Sequence, residues 1–555
     1  VFSQVANRYD VVIDEIMTDP APPAGLPDFE FIELKNTSTR TFNLNGWRIG
    51  DANGFATINV NFLLQPDSFV IICSNGAVAS LSAFGFALGV ASFPSLDNNG
   101  DELYLRSKEG RIIHAVAYNI SWFHNAVKEQ GGWSLEMIDT RNPCTGAGNW
   151  AASTNIKGGT PGRKNAVDAG NKDDQPPMLL RSFATDNTSV TLVFDEPLDS
   201  LAAATITHYN IGNGIGQPAT ALPVAPLYNK VQLKTTVPLL MDKVYDVTVT
   251  GVTDCSNNAI GAYNHAKLGL ASIADSFRVV INEVLFNPKP DGADYIELYN
   301  RSDKIVDLKD CYIANRAPNG TTSSIRQLST ENRLLFPQEY LVVTEDVAAV
   351  QKQYLAKDPA AFIAITAMPS YPDDKGTIVL LNTQGNILDE VSYDAHWHFK
   401  LIANDEGVAL ERINYNTPTQ DANNWHSAAA TAGYGTPGYQ NSQFKNNSSS
   451  TATIAIEPAI FSPDNDGFDD VATISYRFPQ QGYVCNISIF DASGRPVRYL
   501  ARNALCGLNG SFRWDGLDEK NGRLPIGVYV VYTEIFNLQG KTNRFKQAVT
   551  LARRL

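Results

Sequence analysis

One long pattern occurs twice in this chain. Residues 9–166 return as residues 277–441, so whatever fold the first copy takes, the second must also take. Val11-Val12-Ile13-Asp14-Glu15-Ile16 becomes Val279-Val280-Ile281-Asn282-Glu283-Val284, and a proline follows each (Pro20, Pro288). Phe31-Ile32-Glu33-Leu34-Lys35-Asn36 becomes Tyr295-Ile296-Glu297-Leu298-Tyr299-Asn300, and Leu44-Asn45-Gly46-Trp47-Arg48-Ile49 pairs with Leu308-Lys309-Asp310-Cys311-Tyr312-Ile313. Further on, Tyr118 and Trp122 match Tyr393 and Trp397, and Leu135-Glu136 matches Leu410-Glu411. Each copy closes on Gly-Thr-Pro-Gly, at residues 159–162 and 435–438, with a tryptophan before it (Trp150, Trp425).

Within each copy, apolar residues alternate over short runs bounded by Gly, Pro, Asn and Asp, the signal of half-buried strands. Apart from a short helix expected over residues 347–355, no stretch keeps a helical period through three turns. Each copy therefore reads as a sandwich of immunoglobulin size. At 555 residues the chain exceeds a single core, and 43% hydrophobic residues with 40 Gly and 29 Pro suit several small β domains. The expected fold class is all-β, as tandem immunoglobulin-like β-sandwich domains. The expected order is an N-terminal segment (1–8), the first repeat (9–166), an intervening sandwich (173–272), the second repeat (277–441), a polar linker (442–451) and a last sandwich (452–555).

Charge narrows the function. The 44 basic and 58 acidic residues leave a formal net charge of -14, which opposes nucleic-acid binding. No apolar run is clean enough to span a membrane; the nearest, residues 76–94, is interrupted by Ser, Gly and Pro. Val1-Phe2-Ser3 ahead of Gln4 fits the small-residue rule of a signal-peptide cleavage site, which points to export. The six cysteines form no zinc spacing. Cys485 and Cys506 are the favoured pair for a disulfide in an oxidising compartment, the alternative being buried free thiols; Cys144 and Cys255 are the weaker pair.

The opening Ile-[Asp/Asn]-Glu, the [Phe/Tyr]-Ile-Glu-Leu strand and the closing Gly-Thr-Pro-Gly together resemble the lamin-tail domain, an immunoglobulin-like sandwich not known as a catalytic unit. The resemblance covers both repeats. Between them, Phe194-Asp195-Glu196-Pro197-Leu198 and Tyr245-Asp246-Val247-Thr248-Val249 followed by Asp254 resemble the bacterial Ig-like domains of surface-layer proteins, which implies a spacer. The last domain, with Trp514-Asp515-Gly516 and Leu524-Pro525-Ile526-Gly527-Val528-Tyr529, is similar to the FlgD-like Ig domain. Its Phe461-Ser462-Pro463-Asp464-Asn465-Asp466-Gly467 start and basic end (Lys546, Arg553, Arg554) resemble sorting domains of type IX secretion, which implies passage across an outer membrane.

Several clusters invite chemistry. Asp464, Asp466, Asp469 and Asp470 crowd oxygens around a glycine turn, as calcium loops do, the alternative being a solvated Asp/Asn turn. Asp97-Asn98-Asn99-Gly100-Asp101 reads as turn chemistry. His396 and His398 would share one face of a strand as a metal pair, although the other repeat has Ser121 and Phe123 there. Glu15/Glu33 and Glu283/Glu297 are carboxylate pairs of the kind used in acid–base catalysis, yet they belong to the repeat signature, which points instead to bracing of backbone amides or turns. Motifs of nucleophilic, metallohydrolase or nucleotide chemistry are not found in the sequence. The reading is a secreted structural or adhesion protein, or a non-catalytic subunit with a protein partner at the outer surface, with no cofactor except calcium. Its rivals are a glycan-binding accessory protein presenting Trp122 and Trp397, and a hydrolase with an unrecognised site.

Overall fold

The computed structural model describes residues 5–51, 53–317, 319–445 and 451–553. Val1 to Gln4, where the cleavage-site reading falls, and Arg554 of the basic end lie outside the described residues. The chain is all-β and divides into two compact units, residues 1–240 with 244–270, and residues 241–243 with 271–555. Among the described residues no helix is long and apolar enough to cross a membrane.

In the first unit, repeat 1 builds a six-stranded sheet in the order Trp150–Ala152, Leu135–Met137, Val11–Met17, Phe31–Asn36, Phe69–Ser74, Ala87–Val90, with the last pair parallel. A four-stranded sheet of Ile112–Asn119, Gly100–Arg106, Arg48–Gly50 and Phe55–Thr57 contributes to the same core. Ile13, Ile16, Ile32, Leu34, Trp47, Ile49, Leu103, Leu105 and Trp150 fill it. The remainder of this unit is a smaller pair of sheets around Val190, Leu192, Tyr209, Val231, Tyr245 and Val247.

In the second unit, repeat 2 has the same strand order: Trp425–Ser427, Leu410–Arg412, Val279–Leu285, Tyr295–Asn300, Tyr340–Thr344 and Phe362–Ala364, again ending in a parallel pair. The expected helix is present as Val347–Gln353, capped by Asp346, whose side chain accepts from the Ala349 N–H. Beyond it lies a five-stranded sheet carrying Tyr483–Phe490 and Gly527–Asn537, and a three-stranded sheet ending at Asn509–Trp514. These sheets pack around Trp514, Tyr529 and Ile487.

The central strands depart from the half-buried expectation. All seven residues of Val11–Met17 and of Val279–Leu285 are buried, because the sheet is covered on both faces. The sandwich core covers one face. On repeat 1 the other carries a second apolar cluster (Met17, Leu26, Phe31, Ile71, Leu81) and the closing Gly-Thr-Pro-Gly segment. A one-residue bulge falls between Ile13 and Glu15, and again between Ile281 and Glu283. A bulge breaks the in–out alternation of a strand, and here Ile13 and Ile16 both reach the core while Glu15 faces the closing segment.

The structure also corrects the linker. Ser442 and Gln443 are part of repeat 2: the Ser442 Oγ and the Gln443 N–H both donate to Glu411 at 2.8 Å, and Gln443 is fully buried. Polarity in the sequence marked a solvated segment, but these polar groups are spent on a buried carboxylate. Residues 446–450 of the expected linker lie outside the described residues.

Candidate functional site

The most concentrated polar chemistry is a row of three buried glutamates in each repeat. Register sets the row: Glu15 stands opposite Glu136 on one side and Glu33 on the other, and Glu283 stands likewise between Glu411 and Glu297. All six are fully buried.

Each row grips the closing segment. Glu15 Oε1 accepts from the Thr160 N–H at 2.8 Å and from the Ser134 hydroxyl at 2.6 Å. Glu136 accepts from the Thr160 hydroxyl at 2.7 Å and the Val167 N–H at 3.1 Å, while Glu33 accepts from the Gly162 N–H. In repeat 2, Glu283 takes the Thr436 N–H and hydroxyl, each at 2.9 Å, and the Tyr295 hydroxyl at 2.7 Å. Glu297 accepts from the Gly438 N–H at 2.6 Å. Gly162 has φ +81°, and a Cβ there would run into the Phe84 carbonyl, so glycine is required where the chain passes closest. A carboxyl group places two acceptor oxygens side by side for such converging donors.

Burial pushes the Glu15 and Glu283 carboxyls up to about 8, with the adjacent Glu136 or Glu411 adding to it. Glu33 and Glu297 are raised well above the usual carboxylate range for the same two reasons, burial first and then the neighbouring glutamate. Perturbed carboxyls of this kind are a signature of catalytic sites. Here they are sealed from solvent and take amide and hydroxyl donors from the closing segment and its neighbours, which leaves no path for a substrate to reach them.

Repeat 2 also buries an ion pair that repeat 1 lacks. Arg412 is fully buried and donates to the Ile281 carbonyl at 2.8 Å and to Asp389 at 3.3 Å, while Asp389 accepts from the Ile281 N–H at 2.8 Å. In repeat 1 the corresponding residues are Met137 and His114, and His114 Nδ1 accepts from the Ile13 N–H at 3.0 Å.

The cysteines pair otherwise than expected. Cys144 and Cys255 form a disulfide, with Cα atoms 6.4 Å apart, and it ties repeat 1 to the smaller sandwich of the same unit. The Ser256 hydroxyl donates to Asn142 beside it at 3.1 Å. Cys485 and Cys506 are free, buried thiols in contact with each other. Strand register explains this: Cys485 stands opposite Ala504, so Cys506 is its diagonal neighbour. Diagonal Cα atoms lie about 7–8 Å apart, beyond the ordinary reach of a disulfide.

The other candidates divide. Asp464, Asp466 and Asp470 converge, with carboxylate oxygens within 4.8 Å of one another, whereas Asp469 is not among them. Asp470 already accepts from the N–H groups of Asp464, Asn465 and Gly467, at 3.1, 2.6 and 3.0 Å. A second convergence, Asp173 with Glu196 and Asp254, escaped the sequence reading because its members are spread over three loops. Burial, then Asp173 and Asp254, push Glu196 up to about 8. Asp97 and Asp101 accept from the Asn99 and Glu102 N–H groups, as turn residues do.

His396 and His398 do not share a face. Residues Ala395–Trp397 form a 3-10 turn, whose period of three separates them; His396 is exposed against Asp394, and His398 is buried against the Ser427 hydroxyl at 2.9 Å. Trp122 and Trp397 are half-buried, packed 6.2 Å from Trp150 and 6.4 Å from Trp425, which makes them edges of the core rather than open platforms.

Among solved structures, the chain is similar to the N-terminal part of the bacterial S-layer protein SbsC (15% identity, 30% of this chain and 44% of that chain, TM-score 0.17). It is also similar to a DUF4876 family protein from Bacteroides thetaiotaomicron (14% identity, 34% and 78%, TM-score 0.18). A third is a tetra-tandem repeat from the extending region of a large adhesion protein (12% identity, 98% and 99%, TM-score 0.13). The chain thus spans less than half of the S-layer fragment it matches. No curated protein matches it. Residues 4–119 and 274–395 match the family model described as Lamin Tail Domain, one match falling on each copy of the repeat.

Proposed function

We propose that this is a secreted structural protein of the cell surface, a spacer or adhesion subunit that holds a protein partner at the outer surface. The observation that carries the reading is the Cys144–Cys255 disulfide, since disulfides persist in oxidising, extracytoplasmic compartments. The construction supports it as well. The strongest polar chemistry is spent inward, on fixing loops to sheets, which suits a part that bears load more than one that turns over substrate. The buried glutamate rows speak against the hydrolase reading, and the packed Trp122 and Trp397 against glycan stacking.

On this reading the two lamin tail domains and the sandwich between them set reach, and the last domain serves export or anchoring. Its Trp514-Asp515-Gly516 series, similar to the FlgD-like domain, and its resemblance to type IX sorting domains support that assignment. The Asp464–Asp466–Asp470 loop is where calcium would add to the last domain. The test is crosslinking on intact cells that make the protein, with an impermeant reagent, followed by native capture and mass spectrometry. A stoichiometric outer-surface partner is expected. Recovery of the uncrosslinked chain from the cytoplasm would overturn the reading.

A further inference from the structure

Among the buried differences between the two copies of the brace, one leaves repeat 1 short of a hydrogen-bond donor. The position is the bulge residue, Asp14 in repeat 1 and Asn282 in repeat 2. In repeat 2, Asn282 Nδ2 donates to Glu297 Oε1 and to Asn441 Oδ1, each at 2.7 Å. The matching acceptors in repeat 1 are Glu33 Oε1 and Asn165 Oδ1. Among the described residues both are buried without a partner, and so is Asp14 Oδ1.

Asn165 cannot relieve this by turning its amide. Its Nδ2 already donates to the Asp14 and Met137 carbonyls, at 3.0 and 2.9 Å, just as Asn441 Nδ2 serves those of Asn282 and Arg412. Repeat 1 therefore collects three inward-facing oxygens where repeat 2 inserts an NH₂ between two. Buried acceptors without a donor cost free energy and, where charged, repel one another.

We propose that Asp14 is held as a neutral carboxylic acid in the folded protein, its proton shared with Glu33 Oε1, so that repeat 1 is latched by a proton where repeat 2 is latched by an amide. A cation is the poorer occupant, because calcium takes six to eight oxygens, and the three oxygens of this nest with Glu15 Oε2, also without a partner among the described residues, make four.

The charged and titratable groups around Asp14 come from every element packed on it. Glu33 and Lys35 lie on the neighbouring strand, Glu136 on the strand to the other side, Glu15 next in the chain, Asp168 after the closing segment and Asp67 on a turn. Lys35 is the cation among them; its ammonium is engaged by the Thr140 hydroxyl at 3.3 Å and Asp67 at 3.7 Å. His114, bonded to the Ile13 N–H, is pushed down to about 4 by burial and brings no positive charge at neutral pH. Burial outweighs Lys35 and pushes the Asp14 carboxyl up to about 7. Folded protein thus keeps this proton up to near neutrality, while the unfolded chain loses it about three units lower. The latch's contribution is complete in acid and is lost as pH rises from about 4 to about 7.

The test counts protons. The full chain is unfolded by denaturant at about pH 5.5, between the unfolded and folded values, and proton release is titrated. Asp14→Asn should release at least one proton fewer than wild type, and the reciprocal Asn282→Asp about one more. In the folded state, the infrared carbonyl band of a protonated carboxyl should weaken in Asp14→Asn and strengthen in Asn282→Asp, which serves if either unfolding curve is compromised. Equal proton release by wild type and Asp14→Asn, or unchanged bands, would overturn the proposal. So would a wild-type stability that rises with added sodium or calcium while that of Asp14→Asn does not, since a cation would then fill the nest.

Discussion

Replacing Arg412 by methionine copies the residue that repeat 1 carries at that place, and it should damage repeat 2 severely. Arg412 is fully buried, and burial lowers its guanidinium only to about 10, so it is charged at neutral pH. Its removal leaves Asp389 buried without a counter-charge, held by the Ile281 N–H and the Thr419 hydroxyl, and takes a guanidinium donor from each of the Ile281 and Thr417 carbonyls. Breaking one side of a buried pair costs about 3–5 kcal/mol. For a domain of this size that lowers its melting transition by roughly 10 °C, at about 2–4 °C per kcal/mol. The double change Arg412→Met with Asp389→His should recover most of the loss. In repeat 1, His114 Nδ1 accepts from the Ile13 N–H at 3.0 Å and Nε2 meets the Pro143 carbonyl at 3.1 Å, and Pro418 stands at the matching place in repeat 2. Scanning calorimetry on the full chain reads both variants. A double variant that melts no higher than Arg412→Met alone would refute the idea that the two repeats solve one buried position by interchangeable pairs.

Other consequences are as direct. Thr160→Val removes the hydroxyl that Glu136 accepts, and should cost about 1–3 kcal/mol in urea unfolding, with the sister change Thr436→Val at least as harmful because its hydroxyl serves Glu283 and Glu411 together. Gly162→Ala forces a Cβ onto a positive-φ site against the Phe84 carbonyl, and should cost on the order of 1–3 kcal/mol, read as increased protease cleavage near the closing segment. Cys144→Ser with Cys255→Ser opens a link across 111 residues and should remove about 4–5 kcal/mol, seen as a lower melting temperature that reductant no longer changes. Asp470→Ala should fray the 462–470 turn equally with and without calcium, because its carboxylate holds three N–H groups; protection that appears only with calcium would place an ion there.

Much of this fold is written in local pattern. Apolar runs between turn residues mark strands such as Phe31–Asn36, and repetition doubles the signal, so the all-β sandwich class is legible from sequence. The glutamates could be read as braces because each recurs with the Gly-Thr-Pro-Gly close, although which amide each would hold depends on contacts over more than 100 residues. What stayed hidden was set by register and by long-range approach. The bulge at Asp14 is invisible in a run of apolar residues, and with it the burial of both sheet faces. Cys485 and Cys506 look paired along the chain but are diagonal across strands, whereas Cys144 and Cys255 meet only once two sandwiches fold against each other. His396 and His398 read as strand neighbours until a 3-10 turn changes their period.

The central claim is that the chain works in an oxidising compartment as a structural part, and the state of its cysteines in the native source tests it most directly. Protein labelled on intact cells by an impermeant reagent would be alkylated, digested without reductant and mapped by mass spectrometry. The account predicts a linked peptide pair joining Cys144 to Cys255, with Cys73, Cys311, Cys485 and Cys506 alkylated only after denaturation. Recovery of Cys144 and Cys255 as free thiols, in protein that the surface label does not reach, would contradict it.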